Sequence, residues 1–188
     1  HRVDRRQRQM CIRDSMKTIP VLTVLTAAIV AAGCASYGGG PTAEAVMQPT
    51  AGNTTNGTVT FKQSGDKVLV SARITGLSPG LHGFHIHEKG DCSAPDGMST
   101  GGHFNPEGKK HGAPGHAEHH DGDFGNLSAD SNGNAAINLT SSQISLDPNA
   151  RNSIIGKGLI VHADPDDFVT QPTGNSGKRL SCGVIRLK

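Results

Sequence analysis

The spacing of the histidines constrains this chain more than any other feature. His103 stands where two ligand-like sets meet. On one side are His85-x-His87 and an isolated His162 in Leu159-Ile160-Val161-His162; on the other are His111, His120 and Asp123. A neutral imidazole binds one metal, whereas a doubly deprotonated one can bind two. Residues this far apart can serve one site only if separate strands and a long loop converge on it. The fold must therefore be one that brings distant segments to a single place.

The donor types suggest which metals. His85 and His87 are two apart on a strand, so both side chains face the same way. With His162 and His103 they make a set of imidazoles, which suits copper cycling between two oxidation states. The run His103-x7-His111-x8-His120-x2-Asp123 offers three nitrogens and one oxygen, the donor set of a closed tetrahedral zinc. Each histidine alone reads as an ordinary surface or core residue. Together, and in this order, they do not.

The rest of the chain supplies strands. Val68, Val70, Ala72 and Ile74 alternate with Leu69, Ser71, Arg73 and Thr75, the period of a half-buried strand. Further strands are predicted at 58–63, 81–87, 126–129, 134–139, 157–162 and 182–187. Turns are predicted at 64–66, 76–80 and 130–133. The Gly/His/Pro/Asp-rich stretch from 88 to about 125 is too long for a casual loop; metal ligation and a disulfide would order it. A second long polar loop covers 163–178. With 25 glycines, no Trp and no long amphipathic pattern among its 188 residues, the chain is expected to be all-β, an antiparallel sandwich or barrel in one domain.

The net charge of +2 is misleading, because residues 1–15 hold five arginines and two aspartates. The remaining 13 basic and 14 acidic residues form no basic stripe, which argues against nucleic-acid binding. Residues 1–15 fit neither signal nor fold and are read as preceding the true start at Met16. Met16-Lys17 followed by the apolar stretch from Ile19 to Ala32 reads as an export signal over 16–33, too short for a comfortable membrane span. It ends Ala31-Ala32-Gly33-Cys34, which resembles a bacterial lipoprotein processing site, with Ala31 where leucine is usual. Cys34 is then the expected lipidation site, and 34–56 a flexible tether ahead of a domain at 57–188. Cys11 falls in the extension, which leaves Cys92 and Cys182. An even pair in an exported protein suggests one disulfide, worth roughly 4 kcal/mol for a loop of about 90 residues; two free thiols are the alternative.

From about Gly57 to Leu187 the chain resembles the copper/zinc superoxide dismutases of the bacterial envelope type. The motifs are Gly83-Phe84-His85-Ile86-His87-Glu88, Gly102-His103-Phe104-Asn105-Pro106, Lys110-His111-Gly112, His120-Asp121-Gly122-Asp123-Phe124-Gly125-Asn126, Val161-His162-Ala163-Asp164-Pro165-Asp166-Asp167, and Gly174-Asn175 through Arg179-Leu180-Ser181-Cys182-Gly183-Val184-Ile185. The resemblance implies an eight-stranded Greek-key barrel, a sandwich architecture in which this enzyme is a standard example, with long metal-binding and electrostatic loops. It implies copper on His85, His87, His103 and His162, and zinc on His103, His111, His120 and Asp123. His119 competes for the third zinc position, but the His-x-x-Asp register favours His120. His116 and His119 are expected to be solvated, and His82 structural. Asp166 is implied to link a copper ligand to a zinc ligand. Arg179 would draw in the anionic substrate, and His103 would take a proton during turnover. The implied reaction is dismutation of superoxide to dioxygen and hydrogen peroxide. One departure is Pro172, where eukaryotic members often carry lysine; Lys178 could compensate.

The implied setting is antioxidant defence in the cell envelope. The enzyme would lie in the periplasm, lipid-anchored through Cys34; Ala35 points to the outer membrane. A homodimer is allowed but not specified. Two rivals remain at this level. One is a copper-storing module, which would lack a ligand or the arginine. The other is a zinc-stabilised interaction protein, which would leave His85, His87 and His162 unexplained.

Overall fold

A computed structural model describes residues 39–188. The extension, the signal segment and Cys34 lie outside the described residues. Among the described residues nine strands follow in chain order: β1 Thr42–Pro49, β2 Asn56–Ser64, β3 Lys67–Thr75, β4 Gly80–His87, β5 Asp123–Ala129, β6 Ala135–Ser141, β7 Gly158–His162, β8 Arg179–Val184 and the short β9 Arg186–Leu187. A 3₁₀ turn, Met98–Thr100, interrupts the first long loop.

Hydrogen bonding runs β2-β3-β6-β5-β4-β7-β8-β1, and β1 pairs again with β2. The eight strands thus close on themselves with every neighbour antiparallel. Closure removes the free edges that an open sheet would expose. The links from β3 to β4 and from β6 to β7 each pass over two intervening strands, which is the Greek-key pattern. The all-β barrel read from the sequence is therefore the fold observed.

The alternation in β3 is strict: Val68, Val70, Ala72 and Ile74 are buried and their neighbours exposed. Val59 and Phe61 from β2, Phe84 and Ile86 from β4, and Leu159 and Val161 from β7 complete the core.

One expectation fails here. The tether predicted over 34–56 contains β1, whose Ala43, Ala45 and Met47 are buried in the core. Alanines are weak strand formers, so the segment carries little local signal. It is a strand because β2 and β8 need a partner between them. The predicted last strand, 182–187, also differs: β8 begins earlier, at Arg179, and a break at Ile185 separates it from β9.

Strand β4 explains how the site is built. Its Phe84 and Ile86 point into the barrel, while His85 and His87 point outward and are still fully buried. The long loops between β4 and β5 and between β7 and β8 fold over that outer face. Cys92 and Cys182 form a disulfide across 90 residues, tying the first loop to β8.

Candidate metal centre

Two groups of donors assemble beneath the loops. Atoms of His85, His87, His103 and His162 lie within 4.8 Å of one another, and so do atoms of His103, His111, His120 and Asp123. All seven residues are buried, and His103 belongs to both groups. His85 and His87 come from β4, and His162 ends β7 beside it. His103 is brought in by a bridge to His87, and Asp123 opens β5.

The hydrogen bonds decide which nitrogens stay free. Asp166 accepts from His85 Nε2 through Oδ2 and from His111 Nε2 through Oδ1, both at 2.8 Å. In its neutral form each ring is thereby held with its proton on Nε2 and its lone pair on Nδ1. His87 donates from Nδ1 to the Gly101 carbonyl at 2.9 Å, and His162 Nδ1 faces the Gly177 carbonyl at 3.4 Å. Their Nε2 atoms are left over. His103 Nδ1 lies 2.8 Å from Asp123 Oδ1. The result is four buried nitrogens without a partner on one side: His85 Nδ1, His87 Nε2, His103 Nε2 and His162 Nε2. On the other side, His111 Nδ1 and His120 Nδ1 lie 2.9 and 3.3 Å from Asp123 but in orientations that make no hydrogen bond. Buried polar atoms are rarely left unpaired. Orphaned lone pairs in this number fit two metal ions sharing His103.

The electrostatics agree. Burial, followed by the charges of His103, Arg179 and His162, pushes His87 well below its ordinary value. Burial does the same to His162 and brings His103 down to about 4 despite its bond to Asp123. These rings are neutral at pH 7, the form that binds metal. At His111 burial opposes the charge, but the carboxylates of Asp123 and Asp166 on either side of the ring prevail and raise it to about 9. Burial would raise Asp123 and Asp166, yet the histidines bonded to them hold both far below the ordinary carboxylate range.

Arg179 opens β8 directly opposite His162. Its guanidinium donates to the Gly97 carbonyl (2.9 Å), Thr100 Oγ1 (2.6 Å) and the Gly101 carbonyl (2.8 Å). Gly101 thus receives both His87 and Arg179, a link that no sequence motif announced. Arg179 and Lys178 line one 340 Å³ cavity with Asp96 and Met98, so the charge at Lys178 stands beside the arginine.

Other supports were also missed. Asn126 clasps the backbone of Asp166 through bonds of 3.0 and 2.7 Å. Gln171 does the same for His111, both bonds at 2.9 Å. A Cβ at Gly174 would collide with Asp166 Oδ1 and His111 Nε2, so only glycine fits there. His82 is structural as expected: buried, it bonds to the carbonyls of His162 (2.9 Å) and Ser78 (2.8 Å). His116 is exposed. His119 is not the solvated residue expected. It is 6% exposed, with Nδ1 on the His120 carbonyl (2.8 Å) and Nε2 on the Gln143 amide (2.9 Å). The turn that delivers His120 inward carries its neighbour in with it.

Comparison with known proteins points the same way. Residues 55–185 match the family model for copper/zinc superoxide dismutase (SODC). A plant enzyme, superoxide dismutase (Cu-Zn) 2 of Brassica juncea, is 46% identical over 139 residues, covering 70% of this chain and 90% of that protein. The crystal structure of the clock protein EA4 superposes with a TM-score of 0.70 at 42% identity, covering 80% of this chain and 96% of that one. With a closed Greek-key barrel, two donor groups sharing a histidine and a family match over most of its length, the chain belongs to the copper/zinc superoxide dismutases, oxidoreductases that use both metals to dismute superoxide.

Proposed function

We propose that copper is held by His85 Nδ1, His87 Nε2, His103 Nε2 and His162 Nε2, and zinc by His103, His111 and His120 through Nδ1 together with Asp123. The observation that carries this reading is the set of unpartnered buried nitrogens, with His103 turned to both groups. Bound copper supplies the alternation between oxidation states that takes an electron from one superoxide and gives it to the next. The chain's own residues do the rest. Arg179 and Lys178 attract the anion to the mouth of the site. His103 Nε2, when it is not a copper ligand, can hold the proton that the reduced substrate needs. Asp166 keeps His85 and His111 in register, and the covering loops limit water.

We read the protein as an envelope enzyme of the bacterial type, lipidated at Cys34 and anchored to the outer membrane on its periplasmic side, where it serves antioxidant defence. The export-like run from Met16 to Cys34 and a disulfide, a bond that oxidising compartments favour, support this. A homodimer is compatible with this reading.

The test is superoxide consumption by the copper- and zinc-loaded chain beside its His162→Ala and Arg179→Ala variants. Fast turnover should collapse in the first and fall severalfold in the second, with strong salt dependence. Metal bound without turnover in the unmutated chain would leave only a copper-binding module. Fatty-acid labelling that is lost in Cys34→Ser checks the anchor, and sedimentation velocity checks the dimer.

A further inference from the structure

The zinc-side group has a second approach. His119, Asp121 and Asp123 line a cavity of about 290 Å³ whose other walls include Leu139, Ser142 and Gln143. Asp121 is 3% exposed, and its Oδ1 is buried without a hydrogen-bond partner. A buried carboxylate left this way is costly and calls for a cation. The neighbouring cations are committed elsewhere: Lys109 pairs with Glu107 and Arg151 donates to the Pro106 carbonyl. His119 bonds to the His120 carbonyl through Nδ1, which leaves Nε2 as its lone-pair nitrogen. That atom accepts from the Gln143 amide at 2.9 Å, a bond that a metal ion at Nε2 would replace. Asp121 and His119 thus share the wall of a cavity that Asp123 also lines.

We propose that zinc reaches its site through this cavity, landing first on Asp121 and His119 Nε2 before it passes to Asp123 and the three histidines. The proposal rests on the zinc assignment above. It gives His119 and Asp121 a role in loading and none in the finished site.

Cobalt(II) is the probe, because tetrahedral coordination by the zinc donors gives it a visible absorption band. Uptake by the metal-free full chain is followed by stopped flow at low salt, and release by adding a chelator. Asp121→Asn should slow uptake at least fivefold and leave equilibrium affinity within twofold, so release slows by the same factor. Ser142 is exposed at the cavity; Ser142→Lys should also slow uptake by repelling the ion, without touching a buried group. Unchanged uptake in both variants overturns the proposal. So does lost affinity with unchanged uptake in Asp121→Asn, which would mark Asp121 as a support of the finished site. A wild-type chain that gives no tetrahedral cobalt band would sink the zinc assignment itself, an outcome separate from the other two.

Discussion

A single proton on His111 links metal binding to pH. Its value in the metal-free protein is raised to about 9, so at pH 7 the ring is charged and zinc must displace that proton. Zinc affinity should rise with pH up to about 9, by roughly tenfold per unit from this group. Chelator competition from pH 6 to 9 measures it. The stability of the metal-free chain should run the opposite way. A raised folded value stabilises fully below the ordinary 6.5 and is lost as pH climbs through about 9. Denaturant titrations at pH 7 and 9 check that sign. A second residue-scale expectation concerns Gly174, which leaves no room for a Cβ beside Asp166 and His111. Gly174→Ala should displace Asp166 and cost 10- to 100-fold in zinc affinity, on the order found when metal-supporting contacts are lost. The residues that cluster as donors were legible in the sequence because imidazole and carboxylate spacing is itself a signal. Gly101, Asn126 and Gln171 were not, because what each contributes depends on partners that sequence spacing does not reveal.

At the scale of elements, the site depends on strands carrying different work on their two faces. β4 gives Phe84 and Ile86 to the core and His85 and His87 to the candidate metal centre. Fully buried, Phe84 should cost about 3–5 kcal/mol on truncation to alanine. The most instructive element is β1, which closes the barrel between β2 and β8. A chain beginning at Gly57 should fail to fold. It would lose the buried Ala43, Ala45 and Met47 and expose two unpaired edges. A sharp thermal transition and dispersed amide NMR signals from that truncation would contradict this. The β3 alternation was readable because large β-branched residues keep the period. β1 was not, because its inward residues are mostly alanine and its strand character comes from its neighbours.

At the scale of the molecule, one covalent link joins the loop that holds Arg179's acceptors to the strand that presents Arg179. Cys92 and Cys182 close 90 residues, a constraint worth roughly 4–5 kcal/mol in the chain-entropy model. Cys182→Ser should lower stability by about that much. It should also free the Gly97–Gly101 segment, so activity falls further than copper content does. Denaturant midpoints and metal analysis on one sample separate the two effects. By itself the sequence determined the all-β class, the candidate donor residues and the cysteine pair left for bonding, since periodicity, donor chemistry and cysteine number are local or countable. Only the tertiary structure decided that residues 42–49 of the predicted tether form a strand, that His119 is buried, which ring nitrogens stay free, and that one glycine carbonyl holds both His87 and Arg179. Those outcomes depend on which distant backbone atoms meet, and that is settled when the barrel closes and the loops pack over β4.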